Sequence, residues 1–160
     1  NTAVAAGAFT SGELVQLISL KGAFPEAYND LVVSGAQPST EATAALNIDS
    51  SYFPFFGVDK SITVSKVDAV LWLDAEGVGV TGGTNGLTIS DGTASTGQQA
   101  WVEVGDTTKP AGDGKRVFRT GTTAGSGQLS LAAPWSLTTN GWDEVNNPKD
   151  LLLLVHYTVA

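Results

Sequence analysis

Acid–base, nucleophilic and metal chemistry most often run through histidine, and this sequence has a single one, His156. A histidine-based zinc site needs more ligands than that. Cysteine is absent and H-E-x-x-H does not occur. A Ser-His-Asp arrangement would have to use His156, yet no G-x-S-x-G turn is present to carry the serine. The glycine-rich stretches 77–86 and 121–127 match neither phosphate-binding pattern, G-x-x-x-x-G-K-[ST] or G-x-G-x-x-G between a strand and a helix. Glycosidase-type chemistry needs two carboxyl groups meeting in space, and nothing in the spacing of the 16 acids singles out a pair. Calcium would find hard ligands in Asp91, Asp106 and Asp113, but no EF-hand loop frames them, and turn formation is the preferred role. No catalytic residue and no resident metal or cofactor is assigned, and the expectation is a protein that is not an enzyme.

The remaining chemistry is recognition by aromatic side chains. Asp49–Phe56 reads D-S-S-Y-F-P-F-F and gathers Tyr52, Phe53, Phe55 and Phe56 around Pro54. Exposed, these four rings make a partner-binding platform; buried, they make a hydrophobic corner over the end of a core. Trp135 and Trp142 fall in loop-like context, beside Pro134 and Asn146-Asn147-Pro148, and could lie flat against a sugar. The alternative for both is plugging the ends of a sandwich. Trp72, beside Asp68 and Asp74, is a weaker sugar contact and a better partly covered sheet residue.

The elements that must position these residues are strands. Asp150–Val159 reads D-L-L-L-L-V-H-Y-T-V, a continuous apolar run suited to a strand buried on both faces. Alternation puts Leu151, Leu153, Val155, Tyr157 and Val159 on one side, and Leu152, Leu154, His156 and Thr158 on the other. A central strand made last must slot between strands made earlier. Glu13–Leu20, Glu41–Ile48, Ser61–Val64, Lys66–Asp74, Leu87–Ser90, Ala100–Val104 and Lys115–Thr120 are further strands, the last a charged edge strand. Phe24, Tyr28, Leu31 and Val32 fall at helical spacing after Pro25 and Glu26, which predicts one short helix near residues 25–33, or a pair of helical turns. With Gly-rich turns between about eight or nine strands, the expected fold is all-β, a two-sheet β-sandwich of jelly-roll-like form. It spans residues 1–160 as a single domain, with residues 1–12 as an extended arm.

Composition agrees. Glycine reaches 19 residues and charged residues only 15% of the chain, the profile of a turn-rich β domain. The net charge is −8, which argues against nucleic acid and against anionic membrane surfaces, since both need clustered Lys and Arg. No stretch approaches the roughly 20 apolar residues of a membrane helix. The opening Asn1-Thr2-Ala3 and the absence of methionine read as a processed product or an excised piece.

Three stretches carry a resemblance. F-P-E-A-Y-N-D-L at Phe24–Leu31 resembles the F-P-[DE]-A-[WY]-x-D-L segment near the C-terminus of toxin-complex (Tc) A-component-like bacterial proteins. Asp49, Phe53-Pro54 and I-T-V-S-K-V-D-A-V-L-W-L resemble the segment that follows there. G-Q-L-S-L at Gly127–Leu131 and D-L-L-L-L-V-H-Y-T-V resemble the family's final two strands. The likeness covers about half the chain, at its flanks; residues 75–126 show none. It implies a β-sandwich from the C-terminal end of a large, secreted, pentameric toxin subunit, where this region helps dock the cocoon-forming components while neighbouring domains bind receptors or glycans.

The functional expectation is therefore a non-enzymatic assembly domain of a secreted toxin-like complex, oligomeric, docking onto protein subunits through Tyr52, Phe53, Phe55 and Phe56 and through strand 115–120. Its mark would be an exposed apolar patch larger than a free monomer tolerates. The alternatives are a carbohydrate-binding module using Trp135 and Trp142 against a surface glycan, with or without calcium, and a self-assembling shell or appendage subunit.

Overall fold

The computed structural model describes residues 13–31, 41–53, 61–73, 86–104, 116–123, 129–140 and 148–160. Nine strands form two antiparallel sheets: β1 (Leu14–Ser19), β2 (Glu41–Leu46), β3 (Ile62–Leu73), β4 (Gly86–Ser90), β5 (Gln99–Ala100), β6 (Val102–Val104), β7 (Arg116–Thr123), β8 (Trp135–Asn140) and β9 (Pro148–Val159). One sheet has the order β1-β9-β3-β7-β6, the other β2-β8-β4-β5. The pairings nest: β1 with β9, β2 with β8, β3 with β7, β4 with β5. A long hairpin rolled into two layers gives this order, which is the jelly roll. The three-residue β6 is an addition at the edge, beside β7.

The final strand lies between β1 and β3, as its composition requires. Leu151, Leu153, Val155, Tyr157 and Val159 are buried, while Leu152, Leu154 and His156 on the other side are half-buried. Facing them across the sandwich are Ala44, Leu46, Leu87, Ile89, Trp135 and Leu137 of the second sheet, all in one core. Burying a Leu or Val side chain contributes about 1.5–3 kcal/mol, so this inner layer dominates stability.

The two segments expected at Ser61–Val64 and Lys66–Asp74 fall on one strand, β3 (Ile62–Leu73), interrupted by a bulge; Asp74 lies outside the described residues. The pairing with β9 steps from Val64–Tyr157 to Lys66–His156, leaving Ser65 as the extra residue. The bulge resets the alternation, so that Val64 and Val67 both face the core three positions apart. Ala100–Val104 is likewise broken, at the buried Trp101, where the chain passes from one sheet to the other. The charged segment Lys115–Thr120 is not an edge strand: β7 lies between β3 and β6.

The short helix expected near residues 25–33 is α2 (Pro25–Asn29), and a second helical turn, α1 (Leu20–Ala23), precedes it, so the corner is a pair of turns; residues 32 and 33 lie outside the described residues. Ser19 caps α1, its Oγ accepting from the Gly22 amide at 3.1 Å. The same hydroxyl donates to Asp150 Oδ2 at 2.6 Å, and the amides of Lys21 and Leu151 donate to Asp150 Oδ1. One carboxylate thus fastens the helical corner to β9. Burial, assisted by the nearby Asp150 charge, pushes the Tyr28 hydroxyl up to about 12.

Candidate functional site: the outer face of the five-stranded sheet

The aromatic candidates distribute as packing residues. Asp49 caps a 3-10 turn at Ser50–Tyr52, which swings Tyr52 onto Phe24 with ring centroids 5.2 Å apart, half-buried. Phe53 is buried edge-on against Tyr157 at 4.8 Å, so it presents no surface to a partner. Phe55, Phe56 and Trp142 lie outside the described residues. Trp135 is corrected outright: it begins β8 rather than sitting in a loop, is 0% exposed, and donates from Nε1 to the Ser130 carbonyl at 2.7 Å. A ring with no accessible face cannot stack on a sugar.

Asp91 behaves as the turn residue preferred above. Its Oδ1 accepts from the Thr93 and Ala94 amides and its Oδ2 from the Ser130 amide, at 2.6–2.8 Å. These donors, led by Ala94 and Ser130, hold the carboxyl below its ordinary range. Asp106 and Asp113 are outside the described residues. Among the described residues no group of three His, Asp or Glu is placed to hold a metal ion.

Surface chemistry collects instead on the outer face of the five-stranded sheet. Direct cross-strand partners share a face, and three rows can be read from the register. Val15, His156 and Lys66 form one, Leu17, Leu154 and Asp68 the next, and Ser19, Leu152 and Val70 the third, which continues through the backbone of Arg119 to Val102. Trp72 lies one row further along β3, opposite Asp150. The large hydrophobics exposed among the described residues are Val15 (50%), Leu17 (55%), Trp72 (40%) and Val102 (63%), and all four are on this face. With strands about 4.8 Å apart, the apolar residues run roughly 10 Å across β1, β9 and β3, and Val102 on β6 is separated from them by β7, where Arg119 is the register partner of Val70 and Val102.

At one end of the strip the charges are knitted together. Asp68 is fully buried, and its Oδ2 lies 3.1 Å from Lys66 Nζ and 3.3 Å from His156 Nε2. The other imidazole nitrogen, Nδ1, is 3.4 Å from Glu13 Oε2. Glu13 Oε1 accepts from Ser65 Oγ at 2.5 Å. That hydroxyl first, and then His156 and Lys66, draw the Glu13 carboxyl below its ordinary range. His156 is thus clasped between two carboxylates, with both nitrogens close to oxygen but neither in a well-aligned hydrogen bond.

The arrangement is not a nucleophile–base pair. Among the described residues no hydroxyl is hydrogen-bonded to the imidazole, and Ser65 is spent on Glu13. Sequence reading had placed His156 in the last strand and Asp68 on the mixed face of its own. It missed the cluster because Glu13, Lys66 and His156 are brought together only by β-sheet register, through a bulge that the alternation does not announce. Comparison with protein-family models, with curated proteins and with solved structures gave no match to this chain.

Proposed function

We propose that this chain is a non-enzymatic docking domain of a secreted, toxin-like protein assembly, and that it docks through the outer face of its five-stranded sheet. The observation that carries the reading is the segregation of Val15, Leu17, Trp72 and Val102, with the half-buried Val70, Leu152 and Leu154 between them, on one sheet face. Folding does not require it. An antiparallel sheet packed on one side ordinarily turns polar residues to water on the other, and a contiguous exposed apolar strip is the mark of an interaction surface. The toxin-complex setting and secretion rest on the resemblance of Phe24–Leu31, Asp49–Asp74, Gly127–Leu131 and Asp150–Val159.

The occupant we assign is a different subunit that presents an apolar surface rimmed by basic side chains, rather than a second copy. The described side-chain charges on the face are Glu13, Asp68 and Asp150 against Lys66, with Arg119 added in the third row by register, within a chain of net charge −8. Two such chains repel, whereas a basic partner is drawn in.

Light scattering over a concentration series tests the occupant, with a monomer expected; a stable dimer abolished by Leu17→Thr with Trp72→Thr would replace it by self-association. The surface is tested with a surface-tethered peptide of alternating Leu and Lys as probe and an alternating Leu and Glu peptide as control. The chain should bind the first and not the second, and the double Thr variant should lose most of that binding. Equal binding by the variant, whose formal charge is unchanged, would mean that this face is not the dock.

A further inference from the structure

We propose that His156 makes docking on this face proton-sensitive, so that mild acidification releases the partner. The inference rests on the docking reading above and concerns the regulation of the same surface. The groups facing the imidazole, among the described residues, are Glu13 ahead of β1 and Lys66 and Asp68 on β3. Its neighbours along β9 on that face, Leu154 and Thr158, bring no charge.

With His156 neutral, Glu13 carries a negative charge that the ring does not offset. Asp68 is fully buried and shared by Lys66 and His156. The negative charge on offer therefore belongs to Glu13, whose side chain is 51% exposed and stands next to the apolar row of Val15 and Leu17. A Lys or Arg beside the partner's apolar surface would meet that carboxylate as the strip is covered. Once the ring takes a proton, both of its nitrogens donate. It then serves Glu13 and Asp68 together, the charge of Glu13 is offset, and an incoming cation meets an imidazolium a few ångströms away. Attraction is exchanged for an internal pair plus repulsion.

Histidine is the side chain that ordinarily changes charge in this range, and the sequence has one. Of the groups around it, Glu13 is held below the ordinary carboxylate range, chiefly by the Ser65 hydroxyl.

The experiment measures binding to the Leu/Lys peptide at about pH 7.5 and about pH 5.5, at one ionic strength, with circular dichroism confirming the fold at both. For the wild type, affinity should fall about two- to five-fold on acidification, the scale of one half-exposed ion pair. His156→Gln keeps a polar side chain but cannot gain a proton, and should bind with the same affinity at both pH values. Glu13→Gln, at a half-exposed position that the fold tolerates, should bind weakly at both. A His156→Gln protein that loses affinity as steeply as the wild type overturns the proposal, as does a wild type that is indifferent to pH. In either case docking itself stands if Leu17→Thr with Trp72→Thr still abolishes binding. If that double variant binds like the wild type, the dock and its proton control fall together.

Discussion

The two sheets meet the same demand inside and differ outside. In the four-stranded sheet the strands alternate cleanly: Ala44 and Leu46, Leu87 and Ile89, and Trp135 and Leu137 face the core. On the far side stand Thr43, Thr138 and Thr88 in one row and Ala45, Ser136 and Ser90 in the next. Thr43 and Thr138 share a hydrogen bond at 2.9 Å between their hydroxyls, the kind of cross-strand pair that stabilises a wet surface. The five-stranded sheet buries an equally apolar inner layer, yet carries Val, Leu and Trp outside around a charged cluster. On the docking reading proposed above, the outer apolar residues of the larger sheet serve a partner rather than the fold. Breaking each surface in turn tests that division.

The largest effects belong to the shared inner layer. Leu153→Ala in the five-stranded sheet and Leu137→Ala in the four-stranded one should each cost about 2–5 kcal/mol, since both side chains are fully buried and the cavities cannot collapse between two sheets. Chemical denaturation with a constant m-value reads this directly. If one sheet's core position cost under about 1 kcal/mol, well below the range for such truncations, the two layers would not be sharing one core.

Next in size is the staple on the four-stranded side. Asp91 ties its own turn to Ser130, whose carbonyl in turn receives Trp135 Nε1. Asp91→Ala strands three amides and should cost about 1–3 kcal/mol. The pH dependence has a definite sign. The folded carboxyl titrates below its unfolded value, so its contribution is complete above the unfolded value near 4 and fades as pH falls through the folded one. Thermal midpoints measured downward from about pH 5 should fall more steeply for the wild type than for Asp91→Asn. Parallel curves would remove Asp91 from the account of acid sensitivity.

A change of opposite sign should come from Thr139, which is buried on the inner side of β8 with its hydroxyl unpartnered among the described residues. Thr139→Val removes a buried polar group without removing bulk, and a gain of about 1 kcal/mol is expected. A loss of stability, by the same measurement, would show that the hydroxyl is satisfied in solution.

What the sequence made legible follows the same line between inside and outside. Leu151, Leu153, Val155, Tyr157 and Val159 could be placed on a core face from period-two alternation alone, and the interior position of β9 from its unbroken apolar run, because burial writes itself into residue type. The nested pairing was legible only as a class, since strand order depends on partners far apart in the chain. Ser65 hid the continuity of β3: a bulge looks like a boundary when alternation is the only guide. Trp135 belongs to a strand that sequence reading leaves out altogether: Pro134 suggests a loop, and the alternation W-S-L-T-T is too short and polar to announce β8. The Glu13–His156–Asp68–Lys66 cluster was illegible because it exists only in the register of β1, β9 and β3. Even Asp68, correctly placed opposite the core-facing residues of its strand, gave no sign that it would be the most deeply covered charge there.

The smallest expected effect on stability decides what the exposed strip is for. Leu17→Thr and Trp72→Thr replace half-exposed apolar side chains with a residue that sheets accept on a wet face, as Thr43, Thr88 and Thr138 show on the other side of this molecule. Little packing is lost at positions 55% and 40% exposed, and surface substitutions of this kind usually stay within about 0.5 kcal/mol. The double variant should therefore unfold at nearly the wild-type denaturant concentration while losing most of its binding to a basic, apolar peptide. The converse pairing, intact binding with stability lowered by about 2 kcal/mol or more, would place the strip among the residues that hold the sandwich together. The contrast between the two outer faces would then be a matter of how each sheet is covered, and not of what it meets.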